Sequence, residues 1–222
     1  MKNILLLLLT IIYFPSLNSK RNNYYAYEHA SNEIQRVDTN SQEINIEILN
    51  DKTIQFLEQG KNSNISSIKD SLFNRAIYYA SEILKIDSTF IPAYINMSVA
   101  YTALKKYKEA IKVLSTLRKH IPIFPEATFR MGIISEKMGN DSVAKDYYLK
   151  AFIEYKNYLN SPYATAADEI NFEFLYLLLE GKDNAVKRIQ KKLESSPDNP
   201  TYSYLLKTFK EFNRDDYIKN YF

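Results

Sequence analysis

The chain has 222 residues, 45% of them hydrophobic and 25% charged, which is the balance of a folded protein long enough for one ordinary domain or a short repeat array. A net charge of +3, with acids and bases mixed along the chain, argues against a nucleic-acid partner. The absence of cysteine excludes disulfides, thiolate metal sites, a cysteine nucleophile and a lipidated cysteine, and four glycines leave little material for phosphate-cradling loops. Nineteen tyrosines are the compositional oddity, and they suit both helix seams and exposed contact surfaces because the ring is apolar and the hydroxyl tolerates water.

At the start of the chain, Lys2 precedes the apolar run Ile4 to Phe14, followed by Pro15 and the Ser16 to Ser19 stretch. This is the charged, apolar, small-residue order of a secretory signal peptide over residues 1–19, with an apolar run well short of a bilayer span. The competing readings are a buried first helix and an uncleaved anchor, and membrane attachment is expected only if residues 1–19 are kept. Residues 20–42 are polar and weakly periodic, so a mobile segment or a strap lying on the domain is expected there. A helical pattern begins near Glu43, with Ile44, Ile48, Ile54 and Leu57 at three- and four-residue steps, and is expected to end at Gly60. After a loop at 61–64, Ile68, Leu72, Ala76, Ile77, Ala80, Ile83 and Leu84 mark an amphipathic helix.

From Ile91 onward the chain repeats itself. Ala110 is answered 34 residues later by Ala144, Ser98 by Gly132, Leu114 by Tyr148 and Leu117 by Ala151, and Ala76 falls 34 residues before Ala110. A period of 34 built from two helices, with Tyr94, Tyr101, Tyr107, Ala110 and Pro122 in 91–124 and Met131, Gly132, Gly139, Ala144 and Tyr148 in 125–158, resembles the tetratricopeptide repeat. A third unit at 166–199 carries Phe172, Tyr176, Gly181, Ala185, Ile189 and Pro197, displaced by seven extra residues around 158–165. Residues 43–90 form an irregular repeat and 200–222 a capping helix, so the helical domain runs from 43 to 222. The resemblance implies an all-α fold, a right-handed superhelical array of antiparallel helix pairs, a tetratricopeptide-repeat (TPR) α-solenoid. An ordinary antiparallel bundle is the competing architecture. Gly132 is expected to let two helices approach closely, Gly139 and Gly181 to end helices with a left-handed residue, and Asp141 and Asp183 to cap the helices that follow.

Little in the sequence points to catalysis. The two histidines are far apart: His29 lies in the polar segment and His120 in the last turn of an expected helix, where the helix dipole favours it when charged. Neither a metal site nor a cofactor site is expected, and no phosphate or dinucleotide fingerprint occurs. Asp168, Glu169 and Glu173 could form a carboxylate cluster, although acids in a first helical turn are more simply explained by the helix dipole. Most of Lys105, Lys106, Lys108, Lys187, Arg188, Lys191 and Lys192 are expected on solvated exteriors and not in a nucleic-acid stripe.

The resemblance also implies where a partner would bind, along the first helices of successive repeats. Carried over position by position, that surface comprises Ile95, Val99 and Thr102, then Phe129, Arg130, Ile133 and Glu136, then Ile170, Phe174 and Leu177. Only Arg130 and Asn96 could serve a carboxylate clamp of the kind some TPR proteins carry, so an apolar or amphipathic peptide segment is the expected ligand. The chain's own residues 24–48 compete for the same surface. The expectation is a non-enzymatic, exported protein-interaction module, an adaptor or scaffold in the periplasm or cell envelope, or secreted. Its alternatives are a dedicated inhibitor or immunity-type partner of one secreted protein and a helical hydrolase with a cryptic site. On this reading, Phe129→Asp with Phe174→Asp would abolish partner binding and leave folding unchanged.

Overall fold

The computed structural model describes residues 39–221; the signal-peptide reading, most of the polar segment and His29 lie outside them. Ten helices and no strand occur among the described residues, in two compact units divided between Pro122 and Ile123.

In the first unit, α1 (Thr39–Asn62) pairs with α2 (Ser66–Ile86), and α3 (Ile91–Ala103) with α4 (Tyr107–His120). Helix α1 starts four residues earlier than expected and runs through Gly60 instead of stopping there. Gly60 has a packing role: a Cβ at that position would lie 3.0 Å from the ring of Phe73, so the glycine admits that ring from α2. Phe56, Leu57, Phe73, Ala76, Val99 and Ala100 share one core cluster, which joins α1, α2 and α3.

The turn from α3 to α4 is closed by the carbonyl-capping pattern common at helix ends. Lys106 N–H donates to Tyr101 O at 2.8 Å and Lys105 N–H to Thr102 O at 3.0 Å. This geometry puts Lys105 at φ 59°, a left-handed conformation that an L side chain pays for. His120 closes α4 as expected, its ring 6.0 Å from that of Tyr94.

In the second unit, α5 (Pro125–Lys137) pairs with α6 (Asp141–Tyr158), and α7 (Ala166–Glu180) with α8 (Lys182–Ser195). Helices α9 (Pro200–Lys210) and α10 (Arg214–Asn220) follow. The seven displaced residues are accounted for by the longer α6 and the link 159–165, which ends in a capping box between Thr165 and Asp168. Gly139 repeats the turn of Lys105 at the position 34 residues on, with φ 75° and the Asn140 N–H donating to Ser135 O at 3.0 Å. Gly181 joins α7 to α8 as a single residue at φ 84° and ψ 168°, a region reserved to glycine.

The capping expectation for the two aspartates is corrected. Asn140 and Gly181 hold the N-cap positions, while Asp141 and Asp183 fall inside the first turns. There they still favour the positive end of the helix dipole.

The alanine register is visible as burial: Ala76, Ala110, Ala144 and Ala185 are all buried where the second helix of a pair meets the first. Gly132 is the tightest contact, since a Cβ there would lie 2.5 Å from the Tyr148 ring. The substitution of Leu114 by Tyr148 between repeats is thus accommodated by the change from Ser98 to Gly132.

Candidate functional site

The first helices of the second unit, α5 and α7, present the face where a partner surface is expected, and that face is covered by the chain's own α10. Helix α10 is capped by Asn213, whose side chain accepts from Asp216 N–H at 2.9 Å, and it packs on α5. Tyr217 stacks on Phe174 of α7, with ring centroids 5.4 Å apart and planes inclined by 9°. Tyr221, one helical turn on, lies edge-on to Phe129 of α5 at 6.4 Å and 5.3 Å from Tyr217. Phe209 of α9 also meets Phe174 edge-on, with centroids 5.2 Å apart. These rings form a continuous aromatic seam linking α5, α7, α9 and α10.

Charge fixes the register of α10. Arg214 forks onto Glu136, Nε to Oε1 at 2.7 Å and Nη2 to Oε2 at 3.0 Å, and donates from Nη1 to the Leu178 carbonyl at 2.7 Å. Glu136 also accepts from the Tyr148 hydroxyl at 2.7 Å, so one carboxylate at the end of α5 gathers α6 and α10. Burial, and then this carboxylate, push the Tyr148 phenol far above its ordinary value, which keeps it a neutral donor. Burial also pushes the Tyr221 phenol up to about 12, partly offset by the Arg130 guanidinium.

Arg130 is 1% exposed and bonds Glu126 one turn back on α5, from Nε at 3.1 Å and Nη2 at 2.8 Å. At the end of α10, Lys137 of α5 donates from Nζ to the Lys219 carbonyl at 3.1 Å, and burial lowers its pKa to about 8. An ammonium is thus partly stripped of water to meet a neutral oxygen.

The expected site residues can now be placed. In the second unit Phe129, Arg130, Ile133, Phe174 and Leu177 are buried, Ile170 is half-buried, and Glu136 is 14% exposed at its side chain. In the first unit Val99 and Thr102 are buried, Ile95 is half-buried, and Asn96 donates to Asn50 Oδ1 of α1 at 3.3 Å. Arg214, Tyr217, Tyr221 and Lys137 complete the site and were not singled out in the sequence. The i, i+3, i+7 spacing of the first three was the available signal.

Asp168 and Glu169 fall in the first turn of α7, as the dipole reading expects, and Glu169 and Glu173 have a further role. Asp168 is taken by the capping box. Glu173, fully buried, receives a bidentate fork from Arg188 of α8 at 2.8 and 3.1 Å and an ion pair from Lys192 at 2.7 Å. Lys192 also reaches Glu169 at 2.8 Å, and Tyr202 of α9 donates to Glu169 at 2.7 Å. Arg188 and Lys192, half-buried, are therefore corrected from freely solvated cations to clamps that hold the acids of α7 from α8. Lys105, Lys106, Lys108, Lys187 and Lys191 are exposed as expected.

No protein-family model and no curated protein sequence matches the chain. Among solved structures it is similar to TTC0263, a thermophilic TPR protein in Thermus thermophilus, with a TM-score of 0.53, 16% sequence identity, and coverage of 95% of this chain and 99% of that one. At that identity the likeness speaks for the fold, and with the successive helix pairs it shows that the chain has the all-α tetratricopeptide-repeat solenoid fold.

Proposed function

We propose that the protein is a non-catalytic interaction module, an exported adaptor or scaffold of the cell envelope that binds an amphipathic segment of another protein on the first-helix face of its repeats. The observation that carries this reading is the occupation of the α5 and α7 face by α10. A surface built from stacked first helices holds an amphipathic helix there through aromatic rings and one arginine fork, the helix-in-groove mode of recognition. The TPR fold supports the same reading, because each pair buries only one face and leaves the other for contact. Export is supported by the charged and apolar order of residues 1–19. No described helix is long and apolar enough to cross a membrane.

The test is crosslinking in the native envelope fraction followed by mapping of the crosslinked sites, with wild type and Glu136→Arg compared. Partner crosslinks on α5 and α7 that disappear in the variant are expected. Equal recovery of the partner from both, or crosslinks confined to α6 and α8, would overturn the reading. Mass spectrometry of the mature N-terminus checks export, and a soluble cytosolic protein retaining residues 1–19 would remove that element of the proposal.

A further inference from the structure

Helix α10 has the makings of a ligand more than of a permanent element. Seven residues make about two turns, and a helix so short does not persist alone in water, so its helicity depends on the face it lies against. Arg214, Asp215, Asp216, Lys219 and Asn220 are exposed, leaving Ile218, Tyr221 and part of Tyr217 as its apolar hold. Three residues, 211–213, join it to α9. The pairs α5 with α6 and α7 with α8 make their main contacts without it, through Gly132 against Tyr148 and through the Glu173 clamp. Its grip at one end is also weaker than the site allows, because the Lys137 ammonium is offered a carbonyl where a carboxylate would bond more strongly.

We propose that α10 is a displaceable internal occupant of the α5 and α7 face, and that the partner is a protein whose amphipathic helix presents an arginine to Glu136, two aromatic rings four residues apart to Phe174 and Phe129, and a carboxylate to Lys137. This rests on the reading of the chain as an interaction module and adds the partner's chemistry and the means by which the site is kept closed. The carboxylate is what selects a partner over a second copy of the chain. An α10 from another copy would bring the same Lys219 carbonyl, with no gain over the resident helix. It would also compete against a tethered segment whose effective concentration is on the order of millimolar. A helix with an acid at that position gains a charge-assisted bond that α10 lacks.

The probe is a labelled peptide of residues 211–222, alone and with Asn220→Glu, the position adjoining the carbonyl that Lys137 holds. Each is titrated by fluorescence anisotropy against the full chain, wild type and carrying Arg214→Ala with Tyr217→Ala to loosen its own α10. The loosened chain is expected to bind at least about ten-fold more tightly than wild type, as release of a millimolar-range tether requires. The Asn220→Glu peptide should bind several-fold more tightly again, and Lys137→Met in the receptor should erase that gain. Equal or absent binding by a folded, loosened chain overturns the proposal. So does unfolding of that variant, which would make α10 part of the core, and so does dimerisation by exchange of α10, which would make the occupant a second copy.

Hydrogen exchange on the wild-type chain gives an independent reading: α10 amides should exchange at least about a hundred-fold faster than those of α5, as a locally opening element does. Equal protection overturns the proposal. Peptide failure with partner crosslinks still mapped to α5 and α7 would remove displacement and leave the interaction reading intact, whereas failure of both would remove both.

Discussion

Lys105 and Gly139 occupy the same turn of successive repeats, and only one of them suits it. Both have positive φ and both close the same pair of backbone bonds. Replacing Lys105, which is exposed, by glycine should therefore raise stability by about 1 kcal/mol, read as a higher urea midpoint at unchanged slope. Gly132→Ala should act in the opposite sense. Its methyl would enter the Tyr148 ring, which cannot retreat freely because its hydroxyl is held by Glu136, so a loss of about 1–3 kcal/mol is expected in the same assay.

The two sites also show what is readable at this scale. Glycines at 132 and 139 announce close approach and a left-handed turn through their identity alone. Lysine carries no such signal, so the strain at Lys105 appears only in the backbone. The clamp on Glu173 was hidden for a different reason: Arg188 is 15 residues away on the facing helix, and its burial follows from packing that no local pattern encodes.

Among the elements, α10 was the least legible. Helices α2 to α8 follow from apolar spacing and the 34-residue register, but seven residues give too short a window for a period, and 200–222 read as one cap. Among the described residues, the cover over Phe129 and Phe174 comes from α10 and the Tyr221 that follows it. This changes what substitutions there would do. Both rings are almost completely buried, so Phe129→Asp or Phe174→Asp should each cost about 3–5 kcal/mol by removing a core ring and burying a carboxyl, and will not leave folding unchanged.

The contact between α5 and α10 also predicts a pH dependence. Lys137 titrates near 8 in the folded protein against an ordinary 10.5. Below pH 8 both states hold the proton and the folded state carries the full desolvation penalty. Between about pH 8 and 10.5 the folded state gives up its proton first, so stability rises with pH through this group. Lys137→Met should consequently be more stable than wild type at pH 7, with the difference shrinking as pH rises through that window. A constant difference in urea midpoint would contradict it.

For the molecule as a whole, repetition made the fold legible. Ala76, Ala110 and Ala144 at 34-residue steps, Ala185 after a seven-residue displacement, and a glycine where two helices approach closely are constraints of stacking, and each is readable in the sequence. Function is less legible because a stacked repeat buries one face by rule and leaves the chemistry of the other to particular residues. On the proposed reading those residues are Glu136 and Lys137 at the end of α5 and the rings of Phe129 and Phe174, with the resident helix as the pattern for a partner. The most direct measurement is photocrosslinking in the native envelope, with the photoreactive residue placed at position 170, half-buried on α7 one turn before Phe174, and, separately, at the exposed position 187 on α8. A defined partner protein should be captured from 170 and not from 187. Capture from 187 alone would place the working surface on the second helices of the repeats and contradict it.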